Sequence, residues 1–277
     1  MQVVKTISQF RQLRRPVTGS VGFVPTMGYL HEGHLSLVRQ ARAENSTVVA
    51  SIFVNPTQFA PAEDFRSYPR DFDRDLALLG KEKTDIVFAP SEEEMYPATF
   101  STWVDVEKVT ERLEGACRPG HFRGVATVVT KLFNIVQPTR AYFGQKDAQQ
   151  ALVIKRIVAD LNMNTEIVVI PTVRESDGLA MSSRNTYLNP KERQAATVLF
   201  KALSLARRLR QDSEKDAEEI RQQMASLILK EPLAQIEYVS IADAETLEEL
   251  KIIDRQALAL LAVRIGKTRL IDNMLLD

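Results

Sequence analysis

Residues 24–34 read Val24-Pro25-Thr26-Met27-Gly28-Tyr29-Leu30-His31-Glu32-Gly33-His34. Just upstream, Ser20–Val24 is a short apolar run of the kind that forms a buried strand, and just downstream Leu35, Val38 and Ala41 recur at helical spacing. The string therefore sits where a strand feeds a helix. Backbone N–H groups at a helix start, with the helix dipole behind them, favour an anion such as phosphate. Gly28 and Gly33 let the backbone approach a ligand closely. His31 and His34 are two of the three histidines in the chain. Three residues apart near a helix start, they can point at the same phosphate oxygens. Protonated, they would stabilise charge developing on a transferred phosphoryl group or on departing pyrophosphate. The bland alternative, one imidazole capping and the other exposed, accounts less well for two histidines with two glycines. A helical zinc pair would be spaced i, i+4 with a third ligand, whereas this spacing is i, i+3, so no metal ligand set is expected.

Outward from this string the same alternation continues. Thr47–Val54 is a second strand, rich in β-branched residues. Asp71–Lys81 is a helix with Phe72, Leu76 and Leu79 on one face, and Ile86–Ala89 is a third strand, ended by Pro90. Val125–Val136 is helical, Ala141–Phe143 a strand, Gln149–Leu161 helical and Glu166–Ile170 a strand. Strands alternating with helices predict a Rossmann-like α/β domain with a parallel sheet, which binds ligands beyond the carboxyl ends of its strands. The last hundred or so residues change texture. Asn189-Pro190-Lys191-Glu192 is an N-cap, a first-turn proline and a capping-box Glu, opening a long helix to about Arg210. A second helix ends near Pro232, and three close strands follow, Ile236–Ala242, Ala257–Val263 and Arg269–Leu275. This predicts a smaller C-terminal α+β domain with an antiparallel sheet. The expected boundary lies near Val173–Asp177, giving domains 1–174 and 175–277.

The bulk composition narrows the function. Of 277 residues, 44% are hydrophobic and 26% charged, as in a globular protein with a buried core. Acids and bases balance at 36 each, which argues against nucleic acid as a partner but leaves room for a local basic phosphate pocket. The N-terminal stretch lacks the long apolar run of a signal peptide, and no run approaches the roughly 20 apolar residues of a membrane span. A cytoplasmic protein without a membrane partner is expected. The single cysteine, Cys117, reads as an inert small core residue rather than a reactive thiol, since free cysteine usually packs as a small hydrophobe.

Four further strings carry candidate chemistry. Phe53-Val54-Asn55-Pro56-Thr57-Gln58-Phe59-Ala60 ends the second strand, next to the first loop in a parallel sheet. The amides of Asn55 and Gln58 suit hydroxyl and carboxylate groups, although Asn-Pro also simply starts turns. In Phe143-Gly144-Gln145-Lys146-Asp147-Ala148-Gln149-Gln150, Lys146 would place a point charge on a phosphate, while Asp147 with Gln150 is compatible with a capping box. Met181-Ser182-Ser183-Arg184-Asn185 can bind phosphate through hydroxyls and a guanidinium, or be an ordinary surface loop with an N-cap. Gly115–Gly124, with the third histidine, His121, reads equally as a lid or as a rigid connector. Glu92–Glu94 is expected to start a solvated helix, and Arg66, Arg70 and Arg74 to form a solvated face paired with neighbouring acids.

Taken together and in this order, the strings PTMGYLHEGH, FVNPTQF, RPGHFRGV, FGQKDAQQ and MSSRN resemble the pantoate–β-alanine ligase family, and His31-Glu32-Gly33-His34 resembles the signature of the wider nucleotidylyl-transferase superfamily. The resemblance spans about Pro25 to Asn185. It implies ATP with Mg2+, a pantoyl-adenylate intermediate, attack by β-alanine, and release of pyrophosphate and AMP. It further implies that Met27, Gly28, Tyr29, Leu30, His31, Glu32, Gly33 and His34 line the nucleotide site, with His34 as general acid and His31 on the phosphates. Gln58 and Gln150 would hold pantoate. Gly144, Gln145, Lys146 and Asp147 would contact the nucleotide, Lys146 on its phosphates and Asp147 on its ribose. Val173, Met181, Ser182, Ser183 and Arg184 would complete that site, the last four as a mobile phosphate loop. A homodimer is implied. One departure stands out: the family often has Glu where this chain has Gln145. The rival readings are another adenylyl- or cytidylyltransferase with a phosphorylated acceptor, and a non-catalytic nucleotide-binding protein. The chain lacks the Arg-Thr-x-Gly-Ile-Ser string of the cytidylyl type, and it shows no anticodon-binding domain or basic surface of a tRNA-charging enzyme.

Overall fold

The computed structural model describes residues 1–61 and 63–276. The chain divides into two compact units, one of Met1–Gly144 with Gln149–Pro171, the other of Gln145–Ala148 with Thr172–Asp277.

The first unit runs β1 (Gln2–Val4), α1 (Ile7–Arg14), β2 (Val21–Thr26), α2 (Glu32–Glu44), β3 (Thr47–Ile52), α3 (Phe72–Lys81), β4 (Ile86–Phe88), α4 (Glu92–Met95), α5 (Glu114–Cys117), α6 (His121–Val136), β5 (Arg140–Gly144), α7 (Ala148–Asp160) and β6 (Glu166–Ile170). The strands form one parallel sheet in the order β1-β4-β3-β2-β5-β6. Strand side chains alternate between faces, and both faces are apolar. Phe23, Val49, Phe88 and Phe143 join one core cluster, while their neighbours Val24, Ala50, Val87 and Tyr142 join the other. The chain order reverses between β2 and its two neighbours, β3 and β5, so the crevice for a ligand opens at the carboxyl ends of these strands. The loops after β2 and β3 lie there.

The second unit runs α8 (Pro190–Ala195), α9 (Thr197–Gln211), α10 (Ala217–Ile228), β7 (Ala234–Asp243), β8 (Ala257–Ile265) and β9 (Thr268–Leu276). Its three strands are antiparallel in the order β7-β8-β9, with a bulge at Ile236/Tyr238. Leu199, Leu203, Ile220 and Met224 of the helices bury against Ala259, Leu261 and Val263 of β8.

Four sequence expectations are corrected. The N-terminal residues, read only for the absence of a leader, form an edge strand and a helix opened by a Thr6–Gln9 capping box. The long helix after Asn189 is two helices, broken at Ala196, although the Asn189–Glu192 capping box is as read. Helix α6 begins at His121, four residues before the expected Val125, because Gly120 takes the left-handed conformation (φ 81°) that starts it. The arginine face is paired with acids only in part: Arg74 lies 3.9 Å from Asp75 Oδ1 and 5.4 Å over the ring of Tyr29, whereas Arg70 donates to the carbonyls of Phe65 and Tyr68 and lies over the Phe65 ring.

Candidate active site

The loop after β2 is shaped by one buried carboxylate. Gly28 (φ 84°) and Tyr29 (φ 52°) both take left-handed backbone, a conformation costly for a tyrosine. What holds it is Asp75 of α3, 1% exposed, whose two oxygens each accept a backbone N–H at 2.7 Å, from Tyr29 and from Leu30. A Cβ at Gly28 would come within 3.0 Å of Asp75 Oδ2, so glycine is also what lets the carboxylate approach. Burial pushes the Asp75 carboxyl above its ordinary range, against the pull of the two N–H donors. Asp75 was missed from sequence. Its signal was an acid on the same helical face as Leu79, four positions before it.

His31 is the N-cap of α2 and His34 is the third residue of its first turn. The His31 N–H donates to His34 Nδ1 at 3.3 Å, and the rings stand 4.1 Å apart at 36°. The three-residue spacing thus closes a helix cap as well as pairing two imidazoles. With Nδ1 accepting, a neutral His34 carries its proton on Nε2.

The loop after β3 turns on Asn55, 1% exposed. Its Nδ2 donates to Gln58 Oε1 (3.1 Å) and to the Gly124 carbonyl (3.2 Å), and its Oδ1 accepts from Thr57 Oγ1 (3.0 Å) and Tyr96 Oη (2.9 Å). All of its hydrogen-bonding capacity is spent on protein, so here it orients Gln58 rather than facing a ligand. Gln58 is half-buried and its Nε2 donates to Met27 Sδ at 3.1 Å, which brings the two loops together. Helix α6 presses directly on this loop: a Cβ at Gly124 would lie 2.3 Å from the Thr57 carbonyl oxygen. Of the Gln149-Gln150 pair, buried Gln149 is consumed in holding Val109, Arg112 and Glu114, whereas Gln150 is half-buried with no described hydrogen bond.

In the second unit, Gln145 Nε2 donates to Asn273 Oδ1 (3.0 Å), and Asn273 Nδ2 donates to the carbonyls of Gln145 and Lys146 (2.9 Å each). Gln145 therefore has a partner that suits its amide. Lys146 Nζ lies 3.4 Å from Asp147 Oδ1 with its side chain 20% exposed. Met181 N–H bonds the Val173 carbonyl, Ser182 Oγ caps the following turn at Arg184 N–H, and Ser183 is buried. Asn185 ties the end of this segment to Glu175.

A parallel α/β sheet with a glycine-bearing loop and paired imidazoles at the helix start after β2 defines a nucleotide-binding α/β protein. Comparison with known proteins carries this further. The family model described as Pantoate-beta-alanine ligase matches residues 2–275. The chain is 62% identical to pantothenate synthetase of Roseiflexus castenholzii and 63% identical to that of Herpetosiphon aurantiacus, covering the whole of each chain. Among solved structures, pantothenate synthetase of Thermus thermophilus is similar at 49% identity and a TM-score of 0.96, covering 99% of each chain. A pantoate-beta-alanine ligase of Francisella tularensis, solved in complex with beta-gamma ATP and β-alanine, is 37% identical with a TM-score of 0.82, covering 99% of this chain and 97% of that one. The chain belongs to the pantoate–β-alanine ligase family and is an ATP-dependent, amide-forming ligase.

Proposed function

We propose that the chain joins (R)-pantoate to β-alanine in two steps. The pantoate carboxylate attacks the α-phosphorus of ATP, giving pantoyl adenylate and pyrophosphate. The β-alanine amine then attacks the acyl carbon, giving pantothenate and AMP. A carboxylate is a poor acylating agent, and adenylation supplies its leaving group. No covalent nucleophile is needed, because in-line positioning and phosphate charge stabilisation suffice.

The observation that carries this reading is the His31–His34 pair, fixed by its own cap at the start of α2 behind a loop whose backbone Asp75 orients. We assign His34 as general acid through Nε2, His31 to the phosphates, and Met27–Leu30 with Glu32 and Gly33 to the nucleotide. Gln58 and Gln150 receive pantoate, with Asn55 setting Gln58. Gly144, Gln145, Lys146 and Asp147, with Val173 and Met181, Ser182, Ser183 and Arg184, contact the nucleotide, Lys146 on its phosphates. Among the described residues no three His, Cys, Asp or Glu side chains gather as a metal cage. MgATP needs none, since Mg2+ is held largely by phosphate oxygens and water. A cytoplasmic homodimer completes the proposal. Among the described residues no helix is long and apolar enough to cross a membrane.

The test is pyrophosphate release from ATP. Release that requires pantoate, with AMP and pantothenate accumulating only when β-alanine is added, is the expected result. His34→Ala or Lys146→Ala should slow it at least about tenfold, ~1.4 kcal/mol of transition-state stabilisation. Pantoate-independent release, or unchanged rates in both folded variants, would overturn the assignment.

A further inference from the structure

Gln58 is fixed by residues far from it in sequence. His121, the first residue of α6, places Nδ1 2.8 Å from the Gln58 carbonyl oxygen and Nε2 3.1 Å from Arg118 Nη1. A carbonyl oxygen only accepts and a guanidinium only donates. The imidazole between them must therefore be neutral, donating its one proton from Nδ1 to Gln58 and accepting at Nε2 from Arg118. Arg118 is itself clamped by Glu63, Nε to Oε1 at 2.7 Å and Nη2 to Oε2 at 2.8 Å, with side chains 15% and 23% exposed. This is the fork geometry in which an Arg–carboxylate pair is most directional. Each member settles the next. The carboxylate orients the guanidinium, the guanidinium selects the tautomer, and the tautomer supplies a donor to one carbonyl.

That carbonyl belongs to the residue whose side-chain amide bridges Asn55 and Met27. We propose that Glu63, Arg118 and His121 are a positioning relay for pantoate: they set the Gln58 backbone and, through it, the amide that receives the substrate. The inference rests on the assignment of Gln58 to pantoate above. It gives the Arg118–Gly124 segment a definite part, as a fixed brace for the substrate loop.

Two substitutions at one position separate this role from simple packing. An asparagine amide reaches the place of Nδ1 and can still donate to the Gln58 carbonyl. A glutamine amide reaches the place of Nε2, giving Arg118 an acceptor but leaving that carbonyl only the longer bond from Arg118 Nη2, at 3.4 Å. In steady-state assays of pyrophosphate release with each substrate varied, His121→Gln should raise the KM for pantoate about tenfold while the KM for ATP stays within about twofold, and His121→Asn should hold the pantoate KM within about threefold of wild type. Equal pantoate KM values in the two folded variants, whether both normal or both raised, would overturn the relay. Should either variant fail to fold, Glu63→Gln supplies the reading: a rise of about threefold in pantoate KM alone supports the relay, and no change overturns it. Wild-type protein runs in the same assay. If it turns over and the variants do not separate, the relay alone fails. If it shows no pantoate-dependent release, the reading beneath the relay fails and the relay with it.

Discussion

Two neighbouring loops at the carboxyl end of the sheet are braced in opposite ways. The loop after β2 is held by a charge, the Asp75 carboxylate, which takes the amides of Tyr29 and Leu30. The loop after β3 is held by neutral groups, the Asn55 amide, the Tyr96 hydroxyl and the His121 imidazole, and the charges, Arg118 with Glu63 and Glu114, stand behind them. On the proposed function, the contrast follows from what each loop would do. A loop that keeps two left-handed residues and offers donors to an anion needs a strong acceptor behind it, and charge-assisted bonds are about twice as strong as neutral ones. A loop that offers one amide to hydroxyl and carboxylate groups gains more from exact placement than from strength.

The largest expected effect breaks the charged side of this comparison. Asp75→Ala leaves the buried Leu30 N–H and the part-buried Tyr29 N–H without their acceptor and frees Tyr29 from its left-handed backbone. It should cost about 2–4 kcal/mol in urea unfolding. Asp75→Asn keeps one acceptor oxygen but turns an NH2 toward the other N–H, so it should recover less than half of that loss. An Asp75→Ala protein within about 0.5 kcal/mol of wild type would show that the carboxylate braces nothing.

The neutral side is sharpened by acid. Burial first, and then the Arg118 charge, lower the His121 pKa from 6.5 to about 4, against the opposing pull of the Gln58 carbonyl, Glu63 and Glu114. As pH falls, the unfolded chain takes up this proton first and the folded chain does not. The stability that neutral His121 contributes is therefore intact above about pH 6.5 and is lost as pH drops toward 4, by roughly 3 kcal/mol at most. His121→Asn lacks the group and should lose less stability between pH 7 and pH 4.5. Parallel losses in the two proteins would mean that His121 accepts a proton in the folded state.

Gly124→Ala tests the same loop from the side of α6. Within a helix, alanine is favoured over glycine by up to about 1 kcal/mol. Here its Cβ would stand 2.3 Å from the Thr57 carbonyl oxygen and 2.7 Å from Gln58 N, both backbone atoms that cannot turn aside. The clash should win, for a net loss of about 2 kcal/mol with a higher KM for pantoate. A stabilised variant would show that the helix and loop separate without cost.

Legibility in the sequence divided along the same line. The parallel sheet, the antiparallel second sheet and most helices were readable, because β-branched runs such as Thr47–Ile52 and caps such as Asn189–Glu192 are local patterns. The strings that carry the candidate ligand-facing residues are short local patterns as well. The braces are not. Asp75 lies 46 residues from Tyr29, and His121 lies 63 from Gln58. Nothing in a short window shows that a helical aspartate faces inward, or that Asn55 has four partners. Edge strand β1 went unread because three residues carry no period.

The smallest effect carries the comparison to a third loop, the one after β5, where sequence had flagged Gln145 in place of the family's usual glutamate. Its brace is neutral as well: the Gln145 amide donates to Asn273 Oδ1, while Asn273 Nδ2 donates to the carbonyls of residues 145 and 146. Gln145→Glu would set a carboxylate oxygen against Asn273 Oδ1. Asn273 could turn its NH2 to meet it only by abandoning both carbonyls, and at 3% exposure it has little water to replace them. One repulsive contact or two lost bonds remain, and the cheaper of the two, the single contact, sets the cost at about 1 kcal/mol. Thermal unfolding should show that loss in Gln145→Glu, and Asn273→Asp, whose carboxylate can accept from Gln145 but cannot donate to the two carbonyls, should be the more damaging of the two. If Gln145→Glu is as stable as wild type, the amide pairing is incidental, and the departure at 145 is neutral to the fold.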